Sequence, residues 1–176
     1  MISRRTFIKT LVASAACYPL NKAFTVFASP KPDRSLNMYN IHTGESLDIT
    51  YAVDGRYDVD ALDKINHLLR CHYTDKIKAI DVGVLDLLCE ISDRVGADEQ
   101  IRIISGYRSP AYNEYLRSVG RHVAKHSYHM RGQAIDFTLP GFKNSKLSKV
   151  AKSFYVGGVG TYNEFVHIDT GPVRYW

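Results

Sequence analysis

Three cysteines in 176 residues are too few to build a disulfide framework. Cys17 lies near the N-terminus, while Cys71 and Cys89 fall in apolar-periodic segments without the close pairing of a thiolate zinc site. Both read as buried free thiols, with a single bridge left open in an oxidising compartment. Long apolar runs are also missing: TLVASAACYPL is modestly apolar and too short to anchor stably in a bilayer. No internal repeat or low-complexity tract is present. Nor is there a basic patch behind the net charge of +5, because residues 1–28 carry Arg4, Arg5, Lys9 and Lys22 and no acid. That leaves nineteen basic against eighteen acidic residues in the remainder, so the charge does not imply a nucleic-acid partner.

The local excess at the N-terminus has its own meaning. MISRRTFIK followed by a short apolar run reads as a targeting segment. Its Ser-Arg-Arg-x-Phe-Ile-Lys stretch resembles a twin-arginine export signal, and Lys22 just after the apolar run fits that pathway. Cys17 does not read as a lipidation site, since Ser14 stands three residues before it where an aliphatic side chain is required. The expected organisation is a signal over 1–28 with cleavage after Ala28, a Pro-rich linker over 29–35, and one folded domain over 36–176. A periplasmic location without a lasting membrane anchor follows.

What is present is a 45% apolar chain of ordinary globular composition with twelve tyrosines, most of them expected as amphipathic core and rim residues. LNMYNIH and ESLDITYAV read as strands around Thr43-Gly44, ending at an Asp54-Gly55 turn. Asp58 or Asp60 can cap a helix carrying Leu62, Ile65, Leu68 and Leu69, and a second helix runs through Val82, Leu85, Leu88, Ile91 and Val95 to Gly96. QIRIIS alternates as a strand, Ser109-Pro110 opens a helix to Gly120, AIDFTL is a further strand, KLSKVAKSFYV a short helix, and VGTYNEFVHIDTG a close pair of strands or one bent strand. Segregated helices and strands favour a single α+β domain, an antiparallel sheet with helices packed on it.

Two strands contain polar interruptions. Period two puts Ala134, Asp136 and Thr138 on one face, with Ile135, Phe137 and Leu139 on the other. Gly132 permits a tight turn that folds His129 back beside Asp136. In EFVHIDTG, His167 and Asp169 share a face with Phe165, backed by Val166 and Ile168. If the strands are neighbours, two imidazoles and one or two carboxylates converge, a ligand set that Zn²⁺ accepts. Three protein ligands leave a fourth position for water, whose pKa falls by roughly eight units, which makes hydrolysis the natural chemistry. His42, His67, His72 and His122 read as structural, and His126 as a side chain that could support His129.

Ser127-Tyr-His129-Met-Arg-Gly132-Gln-Ala134-Ile-Asp136 resembles the S-x-H-x-x-G-x-A-x-D signature of the zinc D-alanyl-D-alanine peptidases at every fixed position. SGYRSPAYN over Ser105–Asn113 and the FVHIDTG block extend the resemblance over most of the chain, closest to the exported murein endopeptidase branch. The resemblance implies zinc held by His129, Asp136 and His167, an oxyanion-stabilising Arg108, and peptide cross-links of peptidoglycan as substrate. It leaves the general base open between Glu164, in an E-x-x-H arrangement, and Asp169, in H-x-D. Strand geometry puts Asp169 ahead, though it could equally orient His167 or ligate the metal. A non-catalytic zinc-containing wall-binding protein is one alternative. A D-alanyl-D-alanine carboxypeptidase is another, and would need Arg131, Arg121 or Lys125 in the cleft to hold a free carboxylate.

Overall fold

A computed structural model describes residues 31–176. The expected export signal, its expected cleavage after Ala28 and the first residues of the expected linker lie outside the described residues. The chain runs β1 (Arg34–Asn40), β2 (Ser46–Val53), β3 (Arg56–Tyr57), α1 (Val59–Leu68), α2 (Val82–Val95), β4 (Ile101–Ser105), α3 (Pro110–Ser118), a 3₁₀ turn (Tyr128–Arg131), β5 (Ala134–Thr138), α4 (Asn144–Ser153), β6 (Gly158–Thr161), β7 (Val166–Asp169) and β8 (Arg174–Tyr175). Strand β1 begins two residues before Leu36, so Arg34 and Ser35 belong to the sheet rather than to the linker.

The local signals act as their chemistry dictates. Asp58, not Asp60, caps α1 by accepting from the amides of Asp60 and Ala61. Asp81 caps α2 through Gly83, and Gly96 stops that helix in the left-handed region at φ 66°. Ser109 caps α3 with Pro110 in the first turn.

One eight-stranded sheet has the order β3-β2-β1-β4-β5-β7-β6-β8. It is mostly antiparallel, with the class α+β as expected, but β1 pairs with β4 and β6 with β8 in parallel. The antiparallel expectation misses these two pairings because both join segments far apart in sequence or too short to carry a pattern. Helices α1, α2 and α4 cover one face, against which Met38, Ile103, Ile135, Phe137, Val166 and Ile168 are buried.

That apolar face fixes the site. Burying Ile135 and Phe137 is worth roughly 1.5–3 kcal/mol each, and a one-residue slip would drive Asp136 into the core instead. The register therefore forces Asp136 onto the opposite face, directly across from His167 on β7, while Ala134 faces Asp169. Cys71 and Cys89 are free and buried. No helix among the described residues is long and apolar enough to cross a membrane.

Candidate metal centre

His129 reaches this face through a single turn of 3₁₀ helix. Gly132 closes the turn at φ 71°, and a β-carbon there would lie 2.3 Å from the carbonyl oxygen of Ala79, so only glycine fits. His129 is 2% exposed, and its Nδ1 lies 2.8 Å from the carbonyl oxygen of Gly106. A carbonyl only accepts, so Nδ1 carries the proton and Nε2 keeps its lone pair. Nε2 points inward, 3.2 Å from Asp136 Oδ2 and 3.2 Å from His167 Nδ1.

His167 is oriented the opposite way round. Its Nε2 lies 2.9 Å from Asp169 Oδ2 and its Nδ1 2.7 Å from Asp136 Oδ1. With Nε2–H donated to Asp169, the neutral ring offers its Nδ1 lone pair to a cation. Two imidazole nitrogens and a buried carboxylate thus face one point, and the three ligand atoms lie within 4.8 Å of one another. Without a metal ion the positive charge this point needs is a proton on His167 Nδ1, donated to Asp136. Burial disfavours a charged His167, but hydrogen bonds to Asp136 and Asp169 outweigh it and raise the pKa to about 9. Burial likewise opposes an ionised Asp136, yet the His129 and His167 imidazoles hold it below the usual carboxylate range. His129 is pushed down by its burial. The donor set is chemically what a borderline divalent ion takes, so the residues fit a metal.

Asp169 behaves differently from the other two carboxylate candidates. It is fully buried, and it accepts from the amides of Gly158 (3.0 Å) and Gly171 (2.8 Å) and from both Nη atoms of Arg174, besides His167. Burial alone would raise its pKa, but these donors keep it ionised far below the ordinary range. Its lone pairs are engaged, and it backs His167 without joining the three-ligand cluster. Glu164, in the β6–β7 loop, is exposed and does not line the cleft.

Arg108 stands at the β4–α3 junction, 8% exposed. One Nη lies 3.7 Å from Asp136 Oδ2 and 3.4 Å from Ser105 Oγ, and the buried Nε has no hydrogen-bond partner among the described residues. A buried donor without an acceptor is costly, and the Arg108 side chain that carries it lines a cleft of about 350 Å³ that opens over the cluster. Arg121, His122, His126, Tyr162, Arg174 and Trp176 complete much of its wall. Of the three cations considered for a carboxylate, Arg121 lines the cleft, whereas Arg131 lies over the Tyr128 ring, its guanidinium 5.3 Å from the ring centroid. Lys125 is not among the lining residues. Sequence reasoning missed Tyr128, Arg174 and Trp176 entirely. A larger groove between β2 and α1, edged by Glu45, Asp60 and Asp63, gathers no comparable cluster.

Residues 28–176 match a peptidase M15 family model described as "Peptidoglycan L,D-endopeptidase MepK". The chain is 44% identical over 168 residues to the peptidoglycan L,D-endopeptidase MepK of Escherichia coli strain K12, covering 94% of this chain and 91% of that protein. It is 36% identical over 159 residues to the probable peptidoglycan L,D-endopeptidase MepK of Haemophilus influenzae, covering 89% and 85%.

Proposed function

The chain belongs to the M15 peptidase family, and from that premise we propose that it cuts L,D peptide cross-links of peptidoglycan in the periplasm with a zinc ion held by His129, Asp136 and His167. The observation that carries the assignment of the metal is the convergence of His129 Nε2, His167 Nδ1 and the Asp136 carboxylate with both imidazole protons committed elsewhere. Because Asp169 is tied to Arg174, the ligand set stops at three protein groups, as in catalytic rather than structural zinc sites. This favours an enzyme over a wall-binding protein with a closed metal site.

Bound there, zinc supplies Lewis-acid polarisation of the scissile amide and a water nucleophile at neutral pH. The chain's own residues do the rest. Arg108, whose side chain lines the cleft beside Asp136, donates from its guanidinium toward the oxygen on which negative charge develops. Asp169 holds His167 in the tautomer that leaves Nδ1 free. Neither Asp169, with its lone pairs engaged, nor the outlying Glu164 is then the proton acceptor. His122 and His126, which line the cleft and hydrogen-bond to no other described side chain, are the remaining candidates for that role.

The test is incubation of the purified protein with L,D- and D,D-cross-linked muropeptides, resolving products by mass. Monomers should appear from the L,D-linked dimer, disappear with chelator and return with added zinc. A wall-binding protein would retain sacculus affinity with no turnover in any arm. Release of terminal D-alanine alone would instead identify a carboxypeptidase.

A further inference from the structure

The run after β7, TGPVRYW, has no part in the ligand set, yet the fold wraps it against the back of His167. Strand β8 pairs in parallel with β6, Gly158 opposite Arg174. Arg174 meets Asp169 as a fork, Nη2 at 2.6 Å from Oδ2 and Nη1 at 3.0 Å from Oδ1. Its guanidinium lies between two rings, 5.0 Å from the centroid of Tyr128 and 5.1 Å from that of Trp176. Three glycines make room for this assembly. A β-carbon at Gly158 would lie 2.6 Å from both Arg174 Nη1 and Asp169 Oδ2, one at Gly160 2.7 Å from the Trp176 ring, and one at Gly171 2.4 Å from the Tyr128 ring.

We propose that Arg174 is a positioning residue for the metal centre, acting through Asp169 to fix the tautomer and orientation of His167. Asp169 is wholly buried and already accepts from two backbone amides and His167. Removing Arg174 would leave a buried carboxylate short of a counter-charge and free to rotate. Rotation of Asp169 would carry the imidazole with it and turn Nδ1 away from the point it shares with His129 Nε2. The fork matters as much as the charge, because two parallel donors set the carboxylate plane and so the direction of the remaining lone pair that His167 meets. Tyr128 and Trp176 in turn keep the guanidinium flat against that plane. Tyr128 also precedes the ligand His129, so one stack ties both histidine ligands to the same cation.

This inference rests on the zinc reading above, and the experiment separates the two. Zinc affinity of the purified full chain is measured by competition with a chromophoric chelator, alongside the visible spectrum of the cobalt-substituted protein and thermal unfolding without metal. Arg174→Gln should weaken zinc binding about 10- to 100-fold, the usual loss when a partner of a metal-bound histidine is removed, and should shift the cobalt bands. Asp169→Asn should lose a similar factor, and the double variant no more than the worse single one, since both act on one group. A folded Arg174→Gln with wild-type zinc affinity, or losses that multiply in the double variant, would overturn the proposal. A purely structural role predicts lowered thermal stability with affinity unchanged, which also overturns it. If Arg174→Gln does not fold, Arg174→Lys decides on the same criteria, because it keeps the charge and loses the fork. A wild-type chain that binds no zinc removes the metal reading itself.

Discussion

Asp136 is a carboxylate inside a strand whose other face is core, and its environment shows what such a residue needs. Losing water costs a buried ion several kcal/mol, and here His129, His167 and the Arg108 guanidinium surround it. Arg108 is the one member of this group with a donor still unclaimed. Arg108→Ala should therefore lower kcat by roughly 100- to 1,000-fold, the cost of losing one oxyanion donor, with bound zinc per chain unchanged by elemental analysis. Loss of metal in step with activity would instead assign Arg108 to holding Asp136. Among single residues, the convergence of His129, Asp136 and His167 was readable from sequence because period two and Gly132 specify which way each points. The role of Asp169 was not. Sharing a face with His167 is compatible with facing the metal or backing the imidazole, and only the position of Arg174 distinguishes them.

At the scale of elements, the sequence carried the pieces whose signals are local. The Asp58 cap, the Gly96 stop and the alternation of β5 and β7 each depend on a few adjacent residues, and each stands where its chemistry puts it. Strands β3 and β8 are two residues long and have no periodicity to read. The parallel pairing of β1 with β4 spans α1 and α2 and depends on the packed whole. The turn before β5 lies between these extremes, since Gly132 was recognisable while the reason for it was not. Its carbonyl accepts from the Asp81 amide at the start of α2, which pulls the Ala79–Asp81 backbone against its α-carbon. Gly132→Ala should destabilise the fold by roughly 1–3 kcal/mol from the left-handed backbone and the contact with Ala79, read as a lower urea midpoint. Displacement of His129 should weaken zinc binding in the same variant. A midpoint within error of wild type would mean that the turn relaxes at no cost.

Over the whole molecule, the twelve tyrosines expected as amphipathic rim residues resolve in part into a ladder beside the catalytic half. Tyr73 stacks on Tyr112 and Tyr115 at 4.9 and 5.1 Å, His72 meets the edge of Tyr112 at 4.9 Å, and His42 stacks on His72 at 3.9 Å. No pattern in the sequence announces it, because its members come from β1's end, the α1–α2 connection and α3. Burial, with smaller contributions from His42 and Arg108, pushes the His72 pKa down from 6.5 to about 4. The sign for stability follows directly. Between those two values the unfolded chain binds a proton at His72 that the folded chain refuses, so stability rises with pH across the window and falls as pH drops from 6.5 toward 4. His167 acts in a different window: its pKa of about 9 in the metal-free chain favours folding at low pH and loses that contribution as pH climbs above 6.5. His72→Phe keeps a ring in the ladder without the titration. Urea midpoints measured from pH 4 to 6.5 should therefore slope less steeply in His72→Phe than in wild type, the two profiles separating toward the acid end, where wild type alone loses stability to protonation at His72. Parallel profiles would show that His72 takes up its proton in the folded protein as readily as in the unfolded one, with the ladder opening to water rather than opposing the charge.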